Sequence, residues 1–383
     1  MTKPSQDWDP TAADVLSNQV AAYDEMRLRC PVAHSELLGW SLFRHEDVAR
    51  VIADTETFSN VVSTHRSVPN GMDPPEHTAY RQAIEPYLGT EKVRNFEPEC
   101  RVIATELLAP LASGVQIDFM DAFAVPFAVR CQCAFLGWPE ALGAPVREWT
   151  RRNRDAVLTA DRAMLAEIAR EFETFIVGLL DERRRHAGDV AGDDLTTELM
   201  RVQVNGKPLT DAELTSIFRN WTVGEVGSMA AAVGILAGQI ARAPELQRTL
   251  REVPALIPAA IEELLRVDGP LVSNRRRVTR EVTLGGHRIA AGERVSLMWI
   301  SANRDETVFE GPDSARIDRD QRPSLLWGAG VHVCPGAGLA RLEMRVALEA
   351  LLSTFDQIVP GDASPRRLAF PENGWASLPL RLG

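Results

Sequence analysis

The chain has 383 residues, 45% of them hydrophobic and 25% charged, with a net charge of −11. This is an ordinary globular mix with ample apolar material for a large core, and its acidic balance argues against general nucleic-acid binding. Five cysteines (Cys30, Cys100, Cys131, Cys133 and Cys334) are too few and odd in number for a disulfide scaffold and fit a reducing cytoplasm.

Met1 to Pro10 is polar and proline-bearing. No run of eighteen apolar residues occurs in the chain, so no membrane span is expected. Residues 11–70 mix short helices and strands, with a strand at Trp40 to Phe43, a helix at His45 to Ile52 and a loop from Val61 to Gly71. In Asp73 to Leu88, two prolines end an extended piece and start a helix. His77 and Arg81, four apart, share one face of it, either as two solvated side chains or as a cationic pair for an anion. Residues 92–185 are helix-rich, with loops at Ser113-Gly114 and Gly137-Trp138-Pro139. Arg183 to Arg185 read as a solvated helix end, and a Gly/Asp loop follows at 186–194.

Residues 211–242 give the longest apolar helical pattern, nearly uncharged from Val226 to Ile240, as befits a core helix. Thr222, Glu225 and Ser228, spaced by threes beside Gly224 and Gly227, can share a face. They form either a buried hydrogen-bonding set or a proton relay, since acid catalysis needs a carboxyl and a hydroxyl within reach of each other. Leu256 to Arg266 is a further helix carrying Glu263 and Arg266 three apart, and Gly269 to Arg277 reads as a loop. Val282 to Ile300 reads as two strands, broken at Gly285-Gly286 and Ala291-Gly292.

Trp327 to Gly338 reads W-G-A-G-V-H-V-C-P-G-A-G. Glycines at alternate positions admit a close-approaching flat partner, and Pro335 before Leu339, Leu342 and Val346 sets Cys334 at the N-cap of a helix. The positive helix end favours a thiolate there, suited to metal ligation or nucleophilic attack. Three other readings compete: a dinucleotide loop, against which Val333 stands at the third glycine position; a zinc site, for which His332 and Cys334 have no second Cys/His pair; and a buried structural cysteine, against which the glycine density weighs.

This stretch resembles the haem-ligand loop of the cytochrome P450 family, F-G-x-G-x-H-x-C-x-G, with Trp327 in place of the phenylalanine. The resemblance implies that Cys334 is the axial thiolate of a b-type haem, that Trp327 packs beside the sulfur, and that N–H groups of the loop around Gly328 and Gly336 hydrogen-bond it. It implies that His77 and Arg81, in D-P-P-x-H-x-x-x-R, and also Arg277 and His332, hold the haem propionates. Glu263 and Arg266 match the buried E-x-x-R pair, with a structural role. The usual A-G-x-[DE]-T of the central helix is absent. Aligned backwards from Ala243-Pro244-Glu245 its acid–alcohol pair falls on Gly227-Ser228, and aligned forwards on Val226-Gly227, so Glu225 and Ser228, with Thr222 beside them, are the expected relay.

The resemblance spans roughly residue 15 to the end. It implies a mainly α fold with a minor β part, the cytochrome P450 fold, as one large haem domain (15–383) behind an N-terminal tail (1–14). Loops near 58–72, 150–165, 271–276 and 372–378 would line the substrate pocket, with Val62, Leu271 and Val272 among the lining residues. Gly374 to Leu382 would be a terminal strand pair. The 49 residues after Cys334 are too few for a fused reductase, so a separate ferredoxin or flavodoxin with its reductase is expected. Arg341 and Arg345 are its candidate docking residues, unless they are simply solvated charges. The expected activity is monooxygenation of a small organic substrate, in the cytoplasm, with no nucleic acid and no membrane. A peroxide-driven or oxidative-coupling enzyme is the alternative, and a non-catalytic haem sensor a third reading.

Overall fold

The computed structural model describes residues 7–383 apart from 64, 112, 160, 187–193 and 369, so the loop expected at 186–194 lies mostly outside the described residues. Helices dominate, and the longest runs from Asp211 to Ala241 through the centre. Thr210 starts it with a capping box: its side chain accepts from the Glu213 N–H, and Glu213 reaches back to the Thr210 N–H. The half from Ser228 to Ala241 is apolar on every face and is packed on every face, by Phe119, Phe123 and Phe127 and by Leu339, Leu342 and Val346 of the helix Ala337–Thr354. Its length and composition would cross a membrane, but its most apolar window is 67% buried within the protein, where a core helix belongs. Gly234 lets the Met120 sulfur lie close against this helix; a Cβ there would make that flexible side chain shift.

The β part is small. Its main sheet runs in the order Val32–Ser35, Gly39–Leu42, Arg294–Met298, Ser273–Val278, Phe58–Ser59. Arg294–Met298 lies parallel to Gly39–Leu42 and antiparallel to Ser273–Val278. The expected loop at 269–277 is therefore largely a strand. The Val282 to Ile300 stretch holds three strands, Val282–Leu284, His287–Ile289 and Arg294–Met298, divided at the two expected glycine breaks. Trp375–Ser377 and Pro379–Leu382 are both strands, but they do not pair with each other. The first pairs with Arg366–Arg367, the second with Ile358–Pro360 and Gln116–Asp118.

Three further expectations change. Trp8 is buried, edge-on to Phe43 at 5.2 Å, so the chain from residue 7 is part of the folded body and no free tail. Val272 packs in the same cluster with Tyr23 and Met298 and is fully buried, a core residue and not a pocket one. Arg183 is no solvated end either, since it binds both carboxylate oxygens of Asp194 and the Gly137 carbonyl.

Glu263 and Arg266 are both fully buried. Glu263 accepts from Arg266 Nε at 2.8 Å, the Arg316 N–H at 2.9 Å, Arg319 Nε at 2.8 Å and Gln321 Nε2 at 2.7 Å. Arg266 donates onward to the carbonyls of Asn303 and Pro312. Burial alone would raise the Glu263 carboxyl, but the donors, Arg266 first, outweigh it and hold it down at about 2.

Glu263→Ala leaves a buried guanidinium unpaired, so urea unfolding should give a stability lower by about 3–5 kcal/mol. Because the folded value is depressed, the carboxylate's contribution is present above its ordinary 4.5 and should be lost as pH falls towards 2. A Glu263→Ala protein as stable as the parent at neutral pH would contradict the first expectation.

Candidate functional site

The cysteine loop hangs from this hub. The Leu325 N–H is held by Asn303 Oδ1 at 2.7 Å, and the Cys334 N–H by the Trp327 carbonyl at 2.9 Å. Gly328 and Gly330 have φ of +67° and +66°, which side chains resist. The helix begins later than expected: Gly336 is its N-cap and Ala337 its first residue, so Cys334 lies two residues before the cap. The Ala337 N–H reaches the Cys334 carbonyl at 3.4 Å, a turn ahead of the helix. Burial pushes the thiol up, while the Gly336 N–H and the charges of Arg81 and Arg341 pull it down. Val331 and Val333 flank His332 with apolar side chains 43% and 39% exposed.

Four basic side chains converge beside the sulfur. His77 and Arg81, on the helix Glu76–Ile84, are both buried. The His77 ring lies 4.0 Å from that of His332, and Arg81 donates to the Val333 carbonyl. Burial, then His77, Arg276 and Arg81, push His332 down to about 3. The fourth group is Arg276. It is buried in the strand Ser273–Val278, and burial pushes it down to about 10 against the pull of Asp73. Arg277, the residue expected here, is exposed on the other face and pairs in register with Ser59 and Arg294. Alternation along a strand decides between neighbours, and reading this stretch as a loop forgoes that rule. Both His77 ring nitrogens, Arg81 Nε and His332 Nε2 are buried without a protein partner.

The long helix opens into a π-helical turn at Val223–Gly227. The wider turn rotates the expected trio apart, and among the described residues no hydrogen bond joins any two of them. Thr222 is fully buried and accepts from Gln132 Nε2 at 3.1 Å. Glu225 Oε1 is buried without a partner, as are both oxygens of Glu343 on the helix Ala337–Thr354. The two carboxyls are neighbours. Burial pushes both up, Glu343 further because it also faces Glu225. Glu343 escaped the sequence reading, yet it lies on the same stripe as Leu339, Leu342 and Val346, where a carboxylate needs a reason.

On the outer side, Trp327 Nε1 donates to Glu262 at 2.9 Å, and Arg341 binds the same carboxylate at 2.7 Å while lying 4.7 Å over the indole. Arg345 pairs with Glu97 and Glu349. The two arginines expected as docking charges are thus both paired. Val62 and Leu271 are 39% and 41% exposed.

One sulfur, apolar flanks and a cluster of unsatisfied basic nitrogens fit haem, which needs an axial ligand and partners for two carboxylates. The cytochrome P450 family model matches residues 255–381. Cyclomarin C epoxidase CymV of Salinispora arenicola is 33% identical over 90% of this chain and 94% of its own length. Nocardicin C N-oxygenase of Nocardia uniformis is 33% identical over 94% and 93%. The solved open form of cytochrome P450 EryK from S. erythraea superposes with a TM-score of 0.88 at 28% identity, covering 98% of both chains.

Arg276→Ala should speed haem loss to excess apomyoglobin by about tenfold or more, the loss of a charge-assisted hydrogen bond worth about 1.5–3 kcal/mol. Arg277→Ala should leave the rate unchanged. Acceleration by Arg277→Ala and none by Arg276→Ala would return the role to Arg277.

Proposed function

The chain belongs to the cytochrome P450 family, and on that premise we propose how its own residues carry the family's reaction. It is a haem-thiolate monooxygenase that places one oxygen atom of O2 into a small organic substrate. Haem, when bound, supplies reductive activation of O2 and oxygen transfer, assisted by electron donation from a thiolate. Cys334 is that ligand, steadied by the Gly336 N–H and by the Trp327 carbonyl on its own N–H. His77, Arg81, Arg276 and His332 take the propionates. The carrying observation is their set of buried nitrogens, unpartnered within the protein and gathered beside one sulfur.

The proton route departs from the family pattern. Glu225 Oε1, on the π-helical turn, holds a proton at the helix face, and Glu343, its raised neighbour, resupplies it. Ser228 is the next hydroxyl along the helix. Thr222 positions the turn through Gln132 and stays outside the route. Electrons come from a separate ferredoxin or flavodoxin with its reductase, in the cytoplasm. The absence of an acid–alcohol pair at Val226-Gly227 favours peroxide as a second oxidant. Product formed with peroxide alone, and none with donor plus O2, would establish that reading.

Reduced protein under carbon monoxide should show the red-shifted Soret band of thiolate-ligated haem, and Cys334→Ala should abolish it. An unchanged band would sink the ligand assignment. Glu225→Gln should lower product per O2 consumed by about a hundredfold, the low end for a lost proton-transfer group. Coupling equal to the parent's would refute the route through Glu225.

A further inference from the structure

The loop ahead of the helix Glu76–Ile84 is fastened along the first turns of the long helix. Ser216 Oγ accepts the Val68 N–H at 2.8 Å, Asn220 Nδ2 donates to the Val68 carbonyl at 2.8 Å, and Ser67 Oγ donates to Asn220 Oδ1 at 3.1 Å. This loop follows Ser59, which pairs in register with Arg277, and leads to His77 and Arg81. It therefore borders the haem site described above.

Two arginines lie along this seam, and their surroundings differ. Arg66 meets Glu76 at 2.7 Å and Glu213 at 3.7 Å and lies over the Tyr80 ring. Its charge is balanced. Arg219 forms no ion pair among the described residues. Its side-chain partner is Nε2 of His65. Burial and the Arg219 charge both push His65 down, which favours a ring nitrogen that accepts from the guanidinium. Burial also pushes Arg219 down, and the nearest relief comes from Glu173, acting without a hydrogen bond. A half-buried guanidinium that, among the described residues, has an imidazole ring and no carboxylate as its hydrogen-bond partner keeps donors in a planar fork, the geometry that takes a carboxylate with two parallel bonds. One turn further along the same face, Val223 is 41% exposed, and Val61 and Val62 at the start of the loop are 45% and 39% exposed. Apolar surface thus leads away from the cation.

We propose that Arg219 and His65 form an anion seat in the substrate chamber, and that the substrate is an apolar molecule bearing a carboxylate. The carboxylate docks on Arg219, with His65 beside it, and the apolar body lies along Val62 and Val223. This rests on the oxygenase reading of the site.

The test is calorimetric binding of decanoate and of decan-1-ol to the haem-loaded protein. Decanoate should bind about tenfold tighter than the alcohol or better, as a charge-assisted pair provides. Arg219→Leu should remove that preference while leaving decan-1-ol affinity unchanged, which also shows that the variant folds. Arg219→Lys should restore part of it. Equal binding of acid and alcohol to the parent, or an undiminished preference in Arg219→Leu, would overturn the proposal. The heat of binding needs no iron chemistry, so a missing thiolate band would sink the oxygenase reading and leave this result standing.

Discussion

The structure depends on the carboxylate of Glu263. It sits with no solvent exposure in a core rich in apolar side chains, a costly place for a charge. The charge is tolerable because four donor groups, from Arg266, Arg316, Arg319 and Gln321, converge on it. Three of them come from the irregular segment that leads into the cysteine loop. That segment has little regular structure of its own between Ala302 and Gly330. Its course is set by ionic hydrogen bonds to the helix Ile257–Val267, and the position of Cys334 is inherited from it through Asn303 and Leu325.

The cluster beside the sulfur has the opposite character. Four basic groups lie together in a chain whose net charge is −11, and several of their nitrogens are buried without partners. Each such group costs about 1–3 kcal/mol when left unpaired. The fold accepts that cost through the rigidity of its surroundings: Arg81 is tied to the Val333 carbonyl, and Arg276 to the carbonyl of Arg275. Binding of a dicarboxylate group there and stability of the fold are consequently linked quantities. The same contrast holds at the seam of the long helix, where Arg66 is neutralised and Arg219 is not.

Much of this was legible in the sequence, for definite reasons. The cysteine loop declared itself because positive φ at Gly328 and Gly330 demands glycine and a ligand demands sulfur. His77 and Arg81 were legible because helical spacing puts them on one face. What was missed depended on partners distant in sequence. Arg275, Arg276 and Arg277 are indistinguishable until the strand is recognised and its pleat chooses the inward one. Glu262 and Trp327, or Arg345 and Glu97, are pairs that no local pattern joins. Trp8 looked like a polar tail because its nearest neighbours in sequence are polar, while its partners are Tyr23 and Phe43. The two alignments of the central helix disagreed by one residue, and at that place the structure has a turn of five-residue spacing within a helix otherwise of four.

That turn also sets phase. An α-helix advances about 100° per residue, so one residue added or removed between Val223 and Gly227 turns everything before it by that angle relative to everything after it. Arg219 lies on one side of the turn, Ser228 and the buried half of the helix on the other. The helix acts as a shaft with a single adjustable joint. Lineages carrying a plain α-turn here would present a different residue to the chamber from an otherwise identical sequence, changing what is bound without a single substitution in the lining.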